Sequence, residues 1–295
     1  MESNLGRECI ILRLTISQWG ARKQDKKVTK EVDEKHKAKN AGIYTKRLMQ
    51  GKIDEIRTLA NEARRYIYQN TLPWGDNGDR LLNISKYAEI QSTLQDYQSK
   101  WNDLINVIAA DYELQIEKEK IRLGKLFNKS DYPSKEQLWG KFDFRFSYFP
   151  LPQPNHFVVA LVDNEVAKIK EQIETENKRL LAEANGAIWN KIYEAIYHVA
   201  ERLGDVNNIF RDSLIDNLKI LCKQLKELNV MKDQKLDEML DRIENLIANL
   251  IPEDLRINRR LRKETFNEVS SILEDIDKTG KRKIHLEQNK ADLSA

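Results

Sequence analysis

Apolar residues recur along this chain at two spacings, and the switches between them mark out the elements. From Cys9 to Trp19 they alternate, with Ile10, Leu12, Leu14 and Ile16 on one side and Ile11, Arg13, Thr15 and Ser17 on the other. That period of two, rich in β-branched residues, predicts a strand. Gly20 ends it, and Ala21-Arg22-Lys23-Gln24-Asp25-Lys26-Lys27 follows without an apolar run. This segment reads as a loop, or an arm that orders on contact with a partner. Steps of three and four begin near Thr29, a suitable N-cap. They run through Val32, His36, Lys39 and Ile43 to Met49, Ile53, Ile56, Ala60, Ala63 and Ile67. Gly42 and Gly51 interrupt them, and each costs about 1 kcal/mol against Ala in a helix interior, so a bend or break is expected near one of the two.

A second helical arm, capped by Asn83 or Ser85, carries Tyr87, Ile90, Leu94, Tyr97, Trp101, Leu104 and Ile108 before it stops around Phe127-Asn128. That stripe holds a heptad repeat and predicts antiparallel coiled-coil pairing with the first arm. Between the arms lies Asn70 to Leu82, where Pro73-Trp74-Gly75 and Asn77-Gly78 suit two tight turns with both glycines at positive φ. It reads as the tip of a hairpin roughly 60 Å long, at about 1.5 Å per residue over some forty residues per arm. Phe142, Phe144, Phe146 and Tyr148 then alternate with Asp143, Arg145 and Ser147, a strand with an aromatic face that Pro150, Pro152 and Pro154 bring to an end. Its natural partner is the first strand.

The remainder is helical. One stripe runs from Val162 to Leu203 and breaks at Gly204-Asp205; others follow at Leu214 to Leu228, Leu236 to Leu250, and Ile257 to Ile276 on a last helix starting at Glu253 or Arg256. The fold class expected is mainly α: a long antiparallel helical hairpin, a C-terminal helical bundle, and a small two-stranded sheet at the hairpin base. Residues 1–154 would hold the hairpin and both strands, 155–278 the bundle, and 279–295 a flexible tail.

Charge changes this picture locally rather than globally. The formal net charge is only +3, yet Arg22 to Lys52 holds eleven Lys/Arg against four Asp/Glu, and Arg256 to Lys263 holds five basic residues and no acid. Such blocks are solvated helix faces or footprints for a polyanion. The candidate nucleic-acid contacts are Arg22, Lys23, Lys26, Lys27 and Lys30 on the arm, and Arg256, Arg259, Arg260 and Lys263 on one face of the last helix. Cys9 and Cys222 sit far apart in apolar runs, as reduced core residues. No stretch approaches the roughly 20 apolar residues of a membrane span, so a cytoplasmic protein with no membrane contact is expected.

Catalytic signatures are missing from the sequence. There is no Gly-rich phosphate loop, dinucleotide fingerprint or nucleophile motif. Of the four histidines, His36, His156, His198 and His285, the best local constellation is that of His198 with Glu194 and Glu201, on one helical face at spacings of four and three. An ion-pairing face explains that trio better than a metal site, which in bundles draws on several helices. No catalytic residue, metal ligand or cofactor site is assigned, and the chain is expected not to be an enzyme. At the tip, either Leu72, Trp74, Leu81 and Leu82 close the end of the hairpin core, or Trp74 projects as a rigid anchor and Leu72, Pro73, Trp74 and Arg80 form a partner-binding tip.

Trp19-Gly20-Ala21-Arg22-Lys23 after the first strand, a polar helix, Ala63-Arg64-Arg65 leading into Thr71-Leu72-Pro73-Trp74, and then Gly78-Asp79-Arg80-Leu81-Leu82 together resemble an uncharacterised helical family of bacteriophages and mobile elements. The resemblance covers about the first 170 residues, with a weaker echo from Leu255-Arg256 to Arg262. Members tend to be encoded beside a MoxR-type AAA+ ATPase and a protein with a von Willebrand A-like domain. It implies a bacterial host's cytoplasm and an AAA+ ATPase partner, and brings neither an activity nor catalytic residues. The expected function is therefore a scaffold or adaptor that self-associates and binds a protein partner; the alternative is a nucleic-acid-binding accessory factor in replication, recombination or defence.

Overall fold

The computed structural model describes residues 2–153, 163–204, 210–248 and 250–279, and shows a mainly helical chain with a small antiparallel sheet. Two compact units emerge: one from Met1–Arg13, Tyr68–Tyr87 and Tyr148–Ala295, the other from Leu14–Ile67 and Ala88–Ser147. This division differs from the one expected at 154, because the stretch read as a hairpin tip belongs with the C-terminal helices. The expected break at Gly204-Asp205 runs into residues outside those described, as do His156, His285 and the tail from 280.

In the first unit, helix α1 (Glu2–Glu8) leads into strand β1 (Cys9–Ser17). The expected tip is a β-hairpin of β4 (Leu72–Trp74) and β5 (Asp79–Asn83), turned through Gly75 at φ 68° and Gly78 at φ 78°. The glycines do what their conformational freedom suggested, since other residues resist that region. Strand β5 pairs antiparallel with β4, Leu72 opposite Leu81, and with β1, Ile11 opposite Leu81. With β6 (Asp143–Pro150) the sheet order is β4-β5-β1-β6, so the two expected strands do lie together, within four rather than two. Pro73, lacking an N–H to donate, sits on the edge strand, where that costs least.

The long stripe forms α7 (Asp163–Gly204). Its Leu180, Ala184, Ile188, Ile192, Ile196, Val199 and Leu203 are buried in one core with Leu72, Trp74 and Leu81 of the hairpin. Helices α8 (Asp212–Leu228) and α9 (Gln234–Ala248) add Ile215, Leu218, Leu225, Leu240 and Ile243. At about 2 kcal/mol per fully buried Leu or Ile, this packing outweighs the hairpin's own turn chemistry. The last helix is two: α10 (Pro252–Ile257) and α11 (Arg259–Lys278). Asn258 separates them, because its side chain accepts from the N–H groups of Arg260 and Leu261 and starts the second helix. Ile257, expected inside, is 77 % exposed.

The second unit corrects the first arm. Helix α2 (Lys26–Lys35) starts three residues before Thr29, the expected N-cap, and is capped instead by Asp25, whose carboxylate accepts from Lys27 and Val28 N–H. Before it, β2 (Arg22–Gln24) pairs with β3 (Thr45–Arg47), so the arm is ordered. Helix α3 (Lys52–Asn70) follows Gly51, whose φ of 69° provides the anticipated break. The second arm is α4 (Tyr87–Ala110) and α5 (Tyr112–Leu123), burying Ile90, Leu94, Trp101, Ile105 and Ile108. Trp101 packs edge-on to Phe142, and Trp19 meets Tyr112 and Tyr132 likewise. A short α6 (Lys135–Trp139) begins with a capping box of Ser134 and Gln137.

Candidate functional site

The hairpin residues proposed for partner contact fall on two sides of the question. Leu72 and Trp74 are buried, 1 % and 5 % exposed, against α7. Pro73 is half-buried. Arg80 is half-buried too, and its guanidinium is held locally: Nε donates to Thr71 Oγ1 at 3.0 Å, Nη2 to Thr71 O at 2.7 Å, and the group lies over the Tyr68 ring at 4.8 Å. Lys191 of α7 reaches the same corner, its Nζ donating to Tyr68 O at 3.0 Å. These cations fasten the carboxyl end of α3, where the helix dipole is negative. Burial lowers the Arg80 pKa to about 10, and burial together with the Arg80 charge lowers that of Lys191. Sequence reading found Arg80 but not Lys191, because 111 positions separate them and no motif joins them.

The basic arm is an ordered surface. Arg22, Lys23, Lys26, Lys27 and Lys30 are all exposed on β2 and the first turns of α2. Lys30 reaches Glu34 at 3.5 Å. Helices favour acids in their first turn, yet α2 has none there and carries Lys26 and Lys27 instead. Positive side chains therefore add to the positive end of the helix dipole. The module is anchored beneath by Lys46, 6 % exposed, whose Nζ contacts Asp131 at 2.8 Å, Asp25 at 3.3 Å and Leu126 O at 2.8 Å.

The second basic block is largely taken up inside its own unit. Arg256 donates to Phe210 O at 2.7 Å and pairs with Asp212. Arg260 pairs with Glu264 at 2.8 Å. Arg262 is buried, with Nε on Leu203 O at 3.0 Å and Nη2 on Arg202 O at 2.6 Å, capping the end of α7. Arg259 and Lys263 stay exposed on α11; Arg256 stands on a different helix, so the expected common face is not formed.

No family model, curated protein or solved structure matches the chain.

His198 Nδ1 lies 3.4 Å from Glu201 on an exposed face of α7, and among the described residues no three metal-capable groups converge. A groove of about 640 Å³ between α7 and α8 has an apolar floor of Val199, Leu214, Leu218 and Leu221, with Arg202 and Arg211 on its rim. Among the described residues no helix is long and apolar enough to cross a membrane.

A further surface went unread in the sequence. Val107, Leu114 and Ile121 are exposed by 42 %, 57 % and 85 %, one heptad apart on α4 and α5. The buried stripe of the same helices carries the stronger apolar period and masks it. Its signal was a second apolar period, out of phase with the first.

Proposed function

We propose that this chain is a non-enzymatic helical scaffold or adaptor that acts by self-association and by binding a protein partner. The observation carrying this reading is the exposed stripe of Val107, Leu114 and Ile121 on helices otherwise coated with charge. Large apolar side chains repeated along one solvent-facing helix stripe favour docking against another helix. The antiparallel pairing of α3 with α4 belongs to the same reading, and is supported by Tyr66, whose ring lies 6.3 Å from that of Tyr97 and whose hydroxyl donates to Glu89 at 3.3 Å. A phage or mobile-element source, a bacterial cytoplasm and an AAA+ ATPase partner rest on the family resemblance alone. Light scattering across a concentration series tests self-association: mass should rise with concentration, and a monomer throughout contradicts it.

A second reading, polyanion binding in a nucleic-acid accessory factor, is favoured by the lysine-rich start of α2. DNA and RNA should be retained at low salt and released as salt rises, because bound phosphates release counterions. Replacing Lys23, Lys26, Lys27 and Lys30 together by Gln should abolish retention; no retention by the wild-type chain at low salt rejects the reading.

A further inference from the structure

We propose that the Val107–Leu114–Ile121 stripe is a contact between two copies of this chain, packed antiparallel about a two-fold axis at Leu114. This rests on the self-association reading above and gives it an orientation. Continuity of the helical surface is the first support. Although α4 ends at Ala110, the Asp111 N–H donates to Val107 O at 3.2 Å and the Gln115 N–H to Asp111 O at 2.9 Å. The first bond closes α4 and the second opens α5, with a joint at Asp111 between them. Buried Ile105, Ile108, Tyr112, Ile116 and Glu119 keep a step of three or four across that joint, so the three apolar residues stay on the side away from the core.

Spacing and charge then select the partner and its direction. Val107 and Ile121 are equidistant from Leu114, so an antiparallel copy sets Leu114 on Leu114 and Val107 on Ile121 at both ends. An isologous contact requires such self-complementarity. Residues 103–113 hold Asp103, Asp111 and Glu113 and no Lys or Arg. Residues 115–123 of α5 hold Lys118, Lys120 and Arg122 against Glu117 and Glu119. Glu119 is buried, its carboxylate accepting from Gln50 N–H at 3.2 Å and paired with Arg122. Antiparallel packing lays the acidic half on the basic half; parallel packing lays like on like, which suppresses it. Glu117 opposite Asp111 is a like-charged pair, offset by Lys118 and Lys120 beside it. Three apolar residues per copy make a small interface, so the dimer should dissociate on dilution.

Single cysteines in the full chain test the geometry. Cys9 and Cys222 are buried, and burial raises their thiol pKa values to about 12 and about 11, which keeps them out of exchange. Under mild oxidation, Leu114→Cys should give a disulfide-linked dimer. Val107→Cys alone and Ile121→Cys alone should not, whereas a mixture of those two should. Leu114→Glu should raise the dimer dissociation constant at least tenfold with an unchanged circular dichroism spectrum, since the residue is exposed. Cross-linking of Val107→Cys with itself means parallel packing and overturns the proposal. Assembly of the wild-type chain with no cross-link at these positions, and no effect of Leu114→Glu, also overturns it: the copies then meet elsewhere, the stripe is left for another partner, and the scaffold reading survives. A wild-type chain that stays monomeric, together with a Leu114→Cys variant that gives no cross-linked dimer, removes both.

Discussion

Lys46 and Arg262 show how little the sign of a residue says about where its charge goes. Both fall in blocks that read as surface, and both are buried among acceptors. Replacing Lys46 by Met would leave Asp25 and Asp131 facing each other without a cation, a change that should lower stability by about 3–5 kcal/mol in urea unfolding. The same cluster sets a pH window. The Val28 N–H, with help from Lys46 and against the cost of burial, holds the Asp25 carboxyl below its usual range. Its contribution is therefore complete above about pH 4 and is lost as pH falls through the lower folded value. Burial pulls Lys46 down, but hydrogen bonds to Asp131 and Asp25 outweigh it and raise the pKa. That contribution is complete below about pH 10 and fades above. Amide protection over residues 22–47, taken relative to the intrinsic exchange rate at each pH, should fall at both ends of this range and hold between. On α11 the contrast is internal: Arg262→Gln should cost about 2 kcal/mol through the uncapped end of α7. Arg259→Gln should leave the melting temperature within a degree or two, as surface changes usually do.

Among elements, the β4–β5 hairpin marks the limit of what the sequence makes legible. Pro73, Gly75, Asn77 and Gly78 announce turns because few other residues tolerate those backbone angles, and the turns are there. Whether Trp74 points outward or inward depends on α7, whose contributing residues lie a hundred positions further on, and local pattern cannot carry that. The strands at Cys9 and Asp143 were readable from alternation, and α7, α8 and α9 from long apolar stripes. The first arm was misread because Asp25, an excellent cap, sits inside a lysine run and so looked like part of a loop. The candidate contact stripe was hidden for a related reason: α4 and α5 carry two apolar periods, and the stronger one is the core. Since Trp74 is buried, Trp74→Ala should destabilise the protein by about 3–5 kcal/mol, seen as a lower urea midpoint with the slope unchanged. A hairpin tip in solvent would instead tolerate the change.

At the scale of the whole molecule, the chain passes between its two units four times, at 13/14, 67/68, 87/88 and 147/148. Neither unit is a continuous stretch, so neither corresponds to a fragment that a cut can release. The cut suggested by the sequence, after the prolines at 154, shows the consequence. Residues 1–154 would keep β1, β4 and β5 but lose α7, leaving Leu72, Trp74 and Leu81 without the Leu180, Ala184 and Ile188 core that covers them. Three large side chains returned to water at about 2 kcal/mol each approach the whole stability of an ordinary domain. The 1–154 fragment should therefore bind the dye ANS and show rapid amide exchange over residues 68–87, while the full chain does neither. Protection of residues 68–87 in the fragment equal to that in the full chain would mean that the hairpin stands on its own, and that the C-terminal helices are dispensable for it.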